Sequence, residues 1–64
     1  MDKIYLTKEV AEILRVTEDY VRELIREGKI KAYREGRRGG YRIMQRNVDV
    51  YISDKQEKLV AELH

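Results

Sequence analysis

The sequence predicts a mostly α-helical fold carrying one small β-hairpin, on three observations. Two short apolar stripes of helical spacing, Val10-Ala11-Ile13-Leu14 and Val21-Leu24-Ile25, are separated by only Arg15, Val16 and the start of the second helix. The period then changes to an alternation between Ile30 and Ile43, around Gly36, Gly39 and Gly40. Finally a helical period returns at Val48, Tyr51 and Ile52. A period near 3.6 marks an amphipathic helix, and a period of 2 marks a half-buried strand. Two helices joined as tightly as the first pair must cross steeply, which makes a helix-turn-helix.

Taken in order, Lys3-Ile4-Tyr5-Leu6 is a short apolar lead, either a brief strand or an extended segment packed on the first helix. Thr7 is read as the N-cap of that helix, over roughly 8–14, because its hydroxyl can accept from an unpaired first-turn amide. Leu6 then stands where a hydrophobic staple would. Lys8, Glu9 and Glu12 are mixed in sign and suggest support rather than readout. The second helix repeats the opening with Thr17 as cap. Glu18 and Asp19 place negative charge at the positive end of its dipole. Gly28 suits the left-handed residue that ends many helices.

Beyond Gly28, two alternating runs around a Gly-rich turn read as a hairpin. Its expected inward residues are Ile30, Ala32, Tyr41 and Ile43, with Arg34 and Arg42 on the arms and Arg37 and Arg38 at the tip. A lone two-stranded hairpin is not stable in water, so it must lean on the helices. In that position it is a wing. The predicted fold is therefore a winged helix-turn-helix: two short helices, a two-stranded wing and a C-terminal helix. The third helix starts near Gln45, with Val48, Tyr51 and Ile52 as its apolar side; Leu59, Val60 and Leu63 resume the stripe. The expectation is one domain over 1–64, with a core about 4–52 and residues 53–64 a helical extension or a frayed tail. The Ile52-to-Leu59 step suits docking on the core or pairing with a second copy.

Composition narrows the class. Sixty-four residues make one domain at most. There is no Cys, which excludes disulfides and thiolate metal sites and fits a reducing compartment. No apolar run approaches the roughly 20 residues of a membrane span, and the start lacks the apolar core of a signal peptide. A cytoplasmic protein is expected, without cofactor or metal and of bacterial, archaeal or viral origin. The net charge of +2 is unevenly spread. Residues 22–46 hold nine Lys/Arg against three Asp/Glu, net +6, between flanks of net −2 each. A basic block between acidic flanks points to a polyanion on one side of the molecule. An enzyme is not expected: the only His is His64, the only Ser is Ser53, and no phosphate-binding Gly loop occurs.

The runs Leu6 to Leu14, Val16-Thr17, Val21 to Ala32, Gly36-Arg37-Arg38, Tyr41-Arg42-Ile43 and Val48 to Ile52 resemble the excisionase-type helix-turn-helix, a small winged group related to MerR-type DNA-binding domains. The resemblance covers roughly residues 4–52. It implies binding of duplex DNA by a directionality factor for phage or mobile-element recombination, or by a small transcription regulator. The chain departs from the family at Met44, where a Pro or small polar residue is usual. It departs again at Glu18 and Asp19, where the family often carries basic residues. A carboxylate there repels phosphate or accepts from a cytosine amino group.

The expected DNA-binding residues are Thr17, Tyr20, Arg22, Arg26, Lys29, Arg34, Arg37, Arg38, Arg42 and Arg46. Lys29, Lys31, Arg34, Arg42 and Arg46 are read as phosphate contacts, since each Lys or Arg set on a phosphate releases counterions. Arg22 is read either as a guanine contact, through its planar fork, or as the ion-pair partner of Glu18 four residues earlier. Tyr20 is read on a thymine methyl or phosphate, or packed on the hairpin. Arg37 and Arg38 suit a narrow minor groove, against the alternative of a basic loop without fixed contacts. The expected partners are double-stranded DNA together with a site-specific recombinase or a second copy on repeated sites. The competing class is a protein-binding adaptor that presents the second helix.

Overall fold

The computed structural model describes residues 2–36 and 39–63, without the side chains of 59–63. The order is β1 (Ile4–Leu6), α1 (Thr7–Leu14), α2 (Glu18–Arg26), β2 (Tyr33–Arg34), β3 (Tyr41–Met44) and α3 (Gln45–Leu63). This is a winged helix-turn-helix, mostly helical, and its sheet has three strands rather than the two of the expected wing. The antiparallel order is β1-β3-β2, with Tyr5 opposite Ile43, Leu6 opposite Arg42 and Arg34 opposite Tyr41. The N-terminal lead thus becomes the second neighbour of β3. The Gln45 amide also donates to the Lys3 carbonyl (2.8 Å), so α3 starts where β1 starts.

The turn between α1 and α2 closes through backbone bonds. Arg15 takes the left-handed conformation (φ 57°). The Val16 amide donates to the Ala11 carbonyl (3.0 Å) and the Arg15 amide to the Glu12 carbonyl (3.3 Å). That is the Schellman pattern, usually built on Gly because a Cβ is strained there. α2 ends the same way on Gly28 (φ 78°), with Lys29 donating to the Leu24 carbonyl (2.9 Å). At its start, the Thr17 hydroxyl accepts from the Tyr20 amide (3.1 Å), as the sequence indicates.

Thr7 is not a cap. It is the first residue of α1 and only 8% exposed. Strand pairing carries the extended backbone through Leu6, which occupies the cap position and is 45% exposed rather than stapled. The Leu6 amide is satisfied instead by the Glu9 carboxylate (3.0 Å).

The core holds Val10 and Ala11 of α1, Val21 and Leu24 of α2, Ile30, Ile43 of β3 and Val48 of α3. Ala32, Tyr41 and Tyr51 pack around it. The inward hairpin side is therefore as expected, but the first arm is shorter: Ile30 reaches the core from the connection before β2. The Lys31 carbonyl accepts from the Asn47 side chain (3.3 Å), which ties that connection to α3. From Ile52 to Lys58, α3 is exposed.

Candidate nucleic-acid interface

α2 turns Val21, Leu24 and Ile25 inward. The residues on either side of that stripe, stepping about 100° each, border two clefts of unlike character.

On the hairpin side, Glu18, Arg22 and Arg26 of α2 face Arg34, Tyr41 and Arg42 of the sheet. Leu6 at the end of β1 and Thr7 and Lys8 at the start of α1 also line this open cleft of about 560 Å³. Its lining carries five cations against one carboxylate, Glu18. Arg34 lies over the Tyr41 ring, 5.1 Å from the centroid. Such stacking orders a guanidinium while leaving its edge donors available. Arg42 is half-buried in the central strand, opposite Leu6 on one side and Tyr33 on the other.

Arg22 is in a different state. Its Nη1 donates to Asp19 Oδ1 at 2.6 Å, and its Nη2 lies 3.6 Å from Glu18 Oε1. The ion-pair reading of this residue is thus realised in the free protein. Both pairs are exposed, so each contributes only about 0.3–0.5 kcal/mol and is readily exchanged.

On the other flank, Tyr20, Leu24, Gly28 and Lys29 face Tyr51, Asp54, Lys55 and Lys58 of α3 across a cleft of about 480 Å³. Tyr20 therefore does not pack on the hairpin; its helix position turns it toward α3. Its lining carries three lysines against one carboxylate, Asp54, and Lys29 sits 3.6 Å from Glu27. Counted by lining residues both flanks are net positive, and the hairpin flank carries the larger excess of cations.

Of the ten residues expected at the site, Arg22, Arg26, Arg34 and Arg42 come together in the hairpin-side cleft. Tyr20 and Lys29 lie across the helix from them, and the Thr17 oxygen is engaged as the α2 cap. Arg46 stands at the start of α3 beside Asp2 (3.3 Å) and the Met44 sulfur (3.5 Å), lining neither cleft. Arg37 and Arg38, assigned to the wing tip, lie outside the described residues. Lys31 is exposed, with its carbonyl held by Asn47. Lys8, expected as support rather than readout, also lines this cleft. The pairing of β1 with β3 brings the start of α1 to the cleft, and no local pattern around Lys8 announces it.

The model of the family described as helix-turn-helix domain matches residues 5–56. The chain belongs to that family. The match spans α1, α2, the whole sheet apart from Ile4, and α3 as far as residue 56, so the helix-turn-helix and its wing both lie inside it. The helix-turn-helix family is excisionase-like, and membership implies DNA binding. It is not typically enzymatic. Neither the curated proteins nor the solved structures gave a significant match. Among the described residues, no cluster of three His, Cys, Asp or Glu side chains is placed to hold a metal ion, and no helix is long and apolar enough to cross a membrane.

Proposed function

We propose that this helix-turn-helix domain, taken as one unit over 1–64, binds duplex DNA with α2 in the major groove and the wing tip against the minor groove. Its role is that of a recombination directionality or architectural factor. The observation that carries the reading is the hairpin-side cleft, where Lys8, Arg26, Arg34 and Arg42 stand around one open space beside α2. A duplex laid on α2 runs one phosphate strand through that cleft, between the major groove on the helix side and the minor groove on the wing side. Arg37 and Arg38 then meet the minor groove. Arginines entering a narrow minor groove read shape and favour bent DNA, which suits an architectural role. The same interface serves a small transcription regulator, and a footprint of this size gains specificity when a recombinase or a second copy binds alongside. Such a protein works where the DNA is, in the cytoplasm.

The test is fluorescence anisotropy of a labelled generic duplex of about two turns, titrated at several salt concentrations. The expected slope of log affinity against log salt is roughly −3 to −6, for several phosphate contacts. Reversal of Arg37 and Arg38 to Glu lowers both affinity and slope. Absence of binding at low salt refutes the reading and favours a protein adaptor.

A further inference from the structure

The acidic start of α2 is the feature that DNA binding alone leaves unexplained. Glu18 and Asp19 sit on the helix proposed to enter the groove, where each carboxylate faces a polyanion. Both are engaged with the same cation. Arg22 donates to Asp19 at 2.6 Å and lies 3.6 Å from Glu18, and its side chain is 37% exposed. Lys8, Arg26, Arg34 and Arg42, the other cations of the cleft, have no carboxylate within 4.0 Å among the described residues. One cation of the five is therefore paired with carboxylates in the free protein.

We infer that Glu18 and Asp19 tune specificity by competing with phosphate for Arg22, biasing its fork toward a guanine edge. The inference rests on the DNA reading above. Two physical consequences of the pairing support it. First, a guanidinium carries five N–H donors. The two carboxylates engage it through one nitrogen each and leave further donors for a base edge. Second, a phosphate must compete with two carboxylates for Arg22, so a generic backbone gains less from it than from an unpaired cation. A guanine instead offers two coplanar acceptors that match the fork geometry. Orientation by neighbours one turn back also reduces the rotamer freedom lost on binding. A bidentate arginine–guanine pair discriminates by roughly 5- to 150-fold, the equivalent of about 1–3 kcal/mol at about 1.4 kcal/mol per tenfold.

The experiment compares the parent, Glu18→Gln/Asp19→Asn, Arg22→Ala, and the triple combination. Each is titrated against a fixed generic duplex over a range of salt and then used to select from a randomised duplex pool. The acidic double variant is expected to bind the generic duplex more tightly. Its salt slope steepens by about 0.9, one added phosphate contact, and its selected pool loses a guanine preference at one position. In the Arg22→Ala background the same two substitutions leave slope and selection unchanged. An unaltered slope and unaltered selection in the double variant overturn the inference and leave the carboxylates as solvated surface. Steepening that persists without Arg22 also overturns it, since the carboxylates then act on phosphate directly. Loss of guanine preference in none of the variants overturns the readout role. If neither parent nor variant binds any duplex at low salt, the DNA reading itself falls. Circular-dichroism melting checks folding, and Glu18→Gln and Asp19→Asn singly replace the double variant if it unfolds.

Discussion

Replacing Lys8 by Gln tests whether the hairpin-side cleft carries a phosphate strand. Lys8 is exposed, in the first turn of α1, and outside the core. Gln has nearly the same helix propensity, and removing a cation from the positive end of a helix dipole is, if anything, mildly stabilising. The fold is therefore expected to stand. Of the five cations lining the cleft, Arg22 is paired, which leaves four. Four phosphate contacts give a salt slope of about −3.6, before any contribution from the wing tip. That slope corresponds to a loss of about 150-fold in affinity between roughly 50 and 200 mM salt. Lys8→Gln is expected to reduce the slope by about 0.9 and the loss to about 40-fold. Anisotropy of a generic duplex over that salt range, with parent and variant side by side, measures it. Lys55→Gln is the matched control: Lys55 lines the α3-side cleft next to Asp54, and its slope is expected to equal the parent's. A Lys8→Gln slope equal to the parent's, or a Lys55→Gln slope reduced as much, refutes the assignment of the strand to this cleft.

Other outcomes follow from the fold. Ile43→Ala empties the fully buried centre of β3 and is expected to cost about 2–5 kcal/mol. Against a total of roughly 3–10 kcal/mol for a chain of this size, this leaves a shallow thermal transition by circular dichroism. Thr17→Ala removes the α2 cap bond and lowers stability by about 1 kcal/mol, seen as a drop of about 4–8 °C in Tm. Arg15→Gly relieves the left-handed strain at the helix-turn-helix corner and is expected to raise stability by about 0.5 kcal/mol, after the entropy that Gly adds to the unfolded chain is subtracted. Gly39→Ala places a Cβ against the Glu35 carbonyl oxygen. It is expected to reshape the wing turn and weaken duplex binding while Tm changes little, because that turn lies outside the core; melting and anisotropy together separate the two effects.

The sequence alone determined the local architecture. The stripe Val21-Leu24-Ile25, the Thr17 cap and the Gly28 stop specify α2 because capping, dipole and left-handed termination act within a few residues. The alternation from Ile30 to Ile43 similarly marked the hairpin and its inward side. Tertiary structure decided what depends on distant partners. Lys3 to Leu6 is too short to declare itself a strand; Ile43 and Arg42 across the sheet make it one, and the same pairing shifts the α1 cap from Thr7 to Leu6. Arg15 adopts a positive φ without Gly because packing of α1 on α2 through Val10, Val21 and Leu24 over-determines the corner. The cleft is the clearest case. Lys8, Arg22 and Arg42 are far apart in the chain and carry no mutual spacing, and only the folding of α1, α2 and β3 about one core brings their charges to one opening. Helix and turn signals are local in sequence, whereas charge convergence is a property of the packed surface.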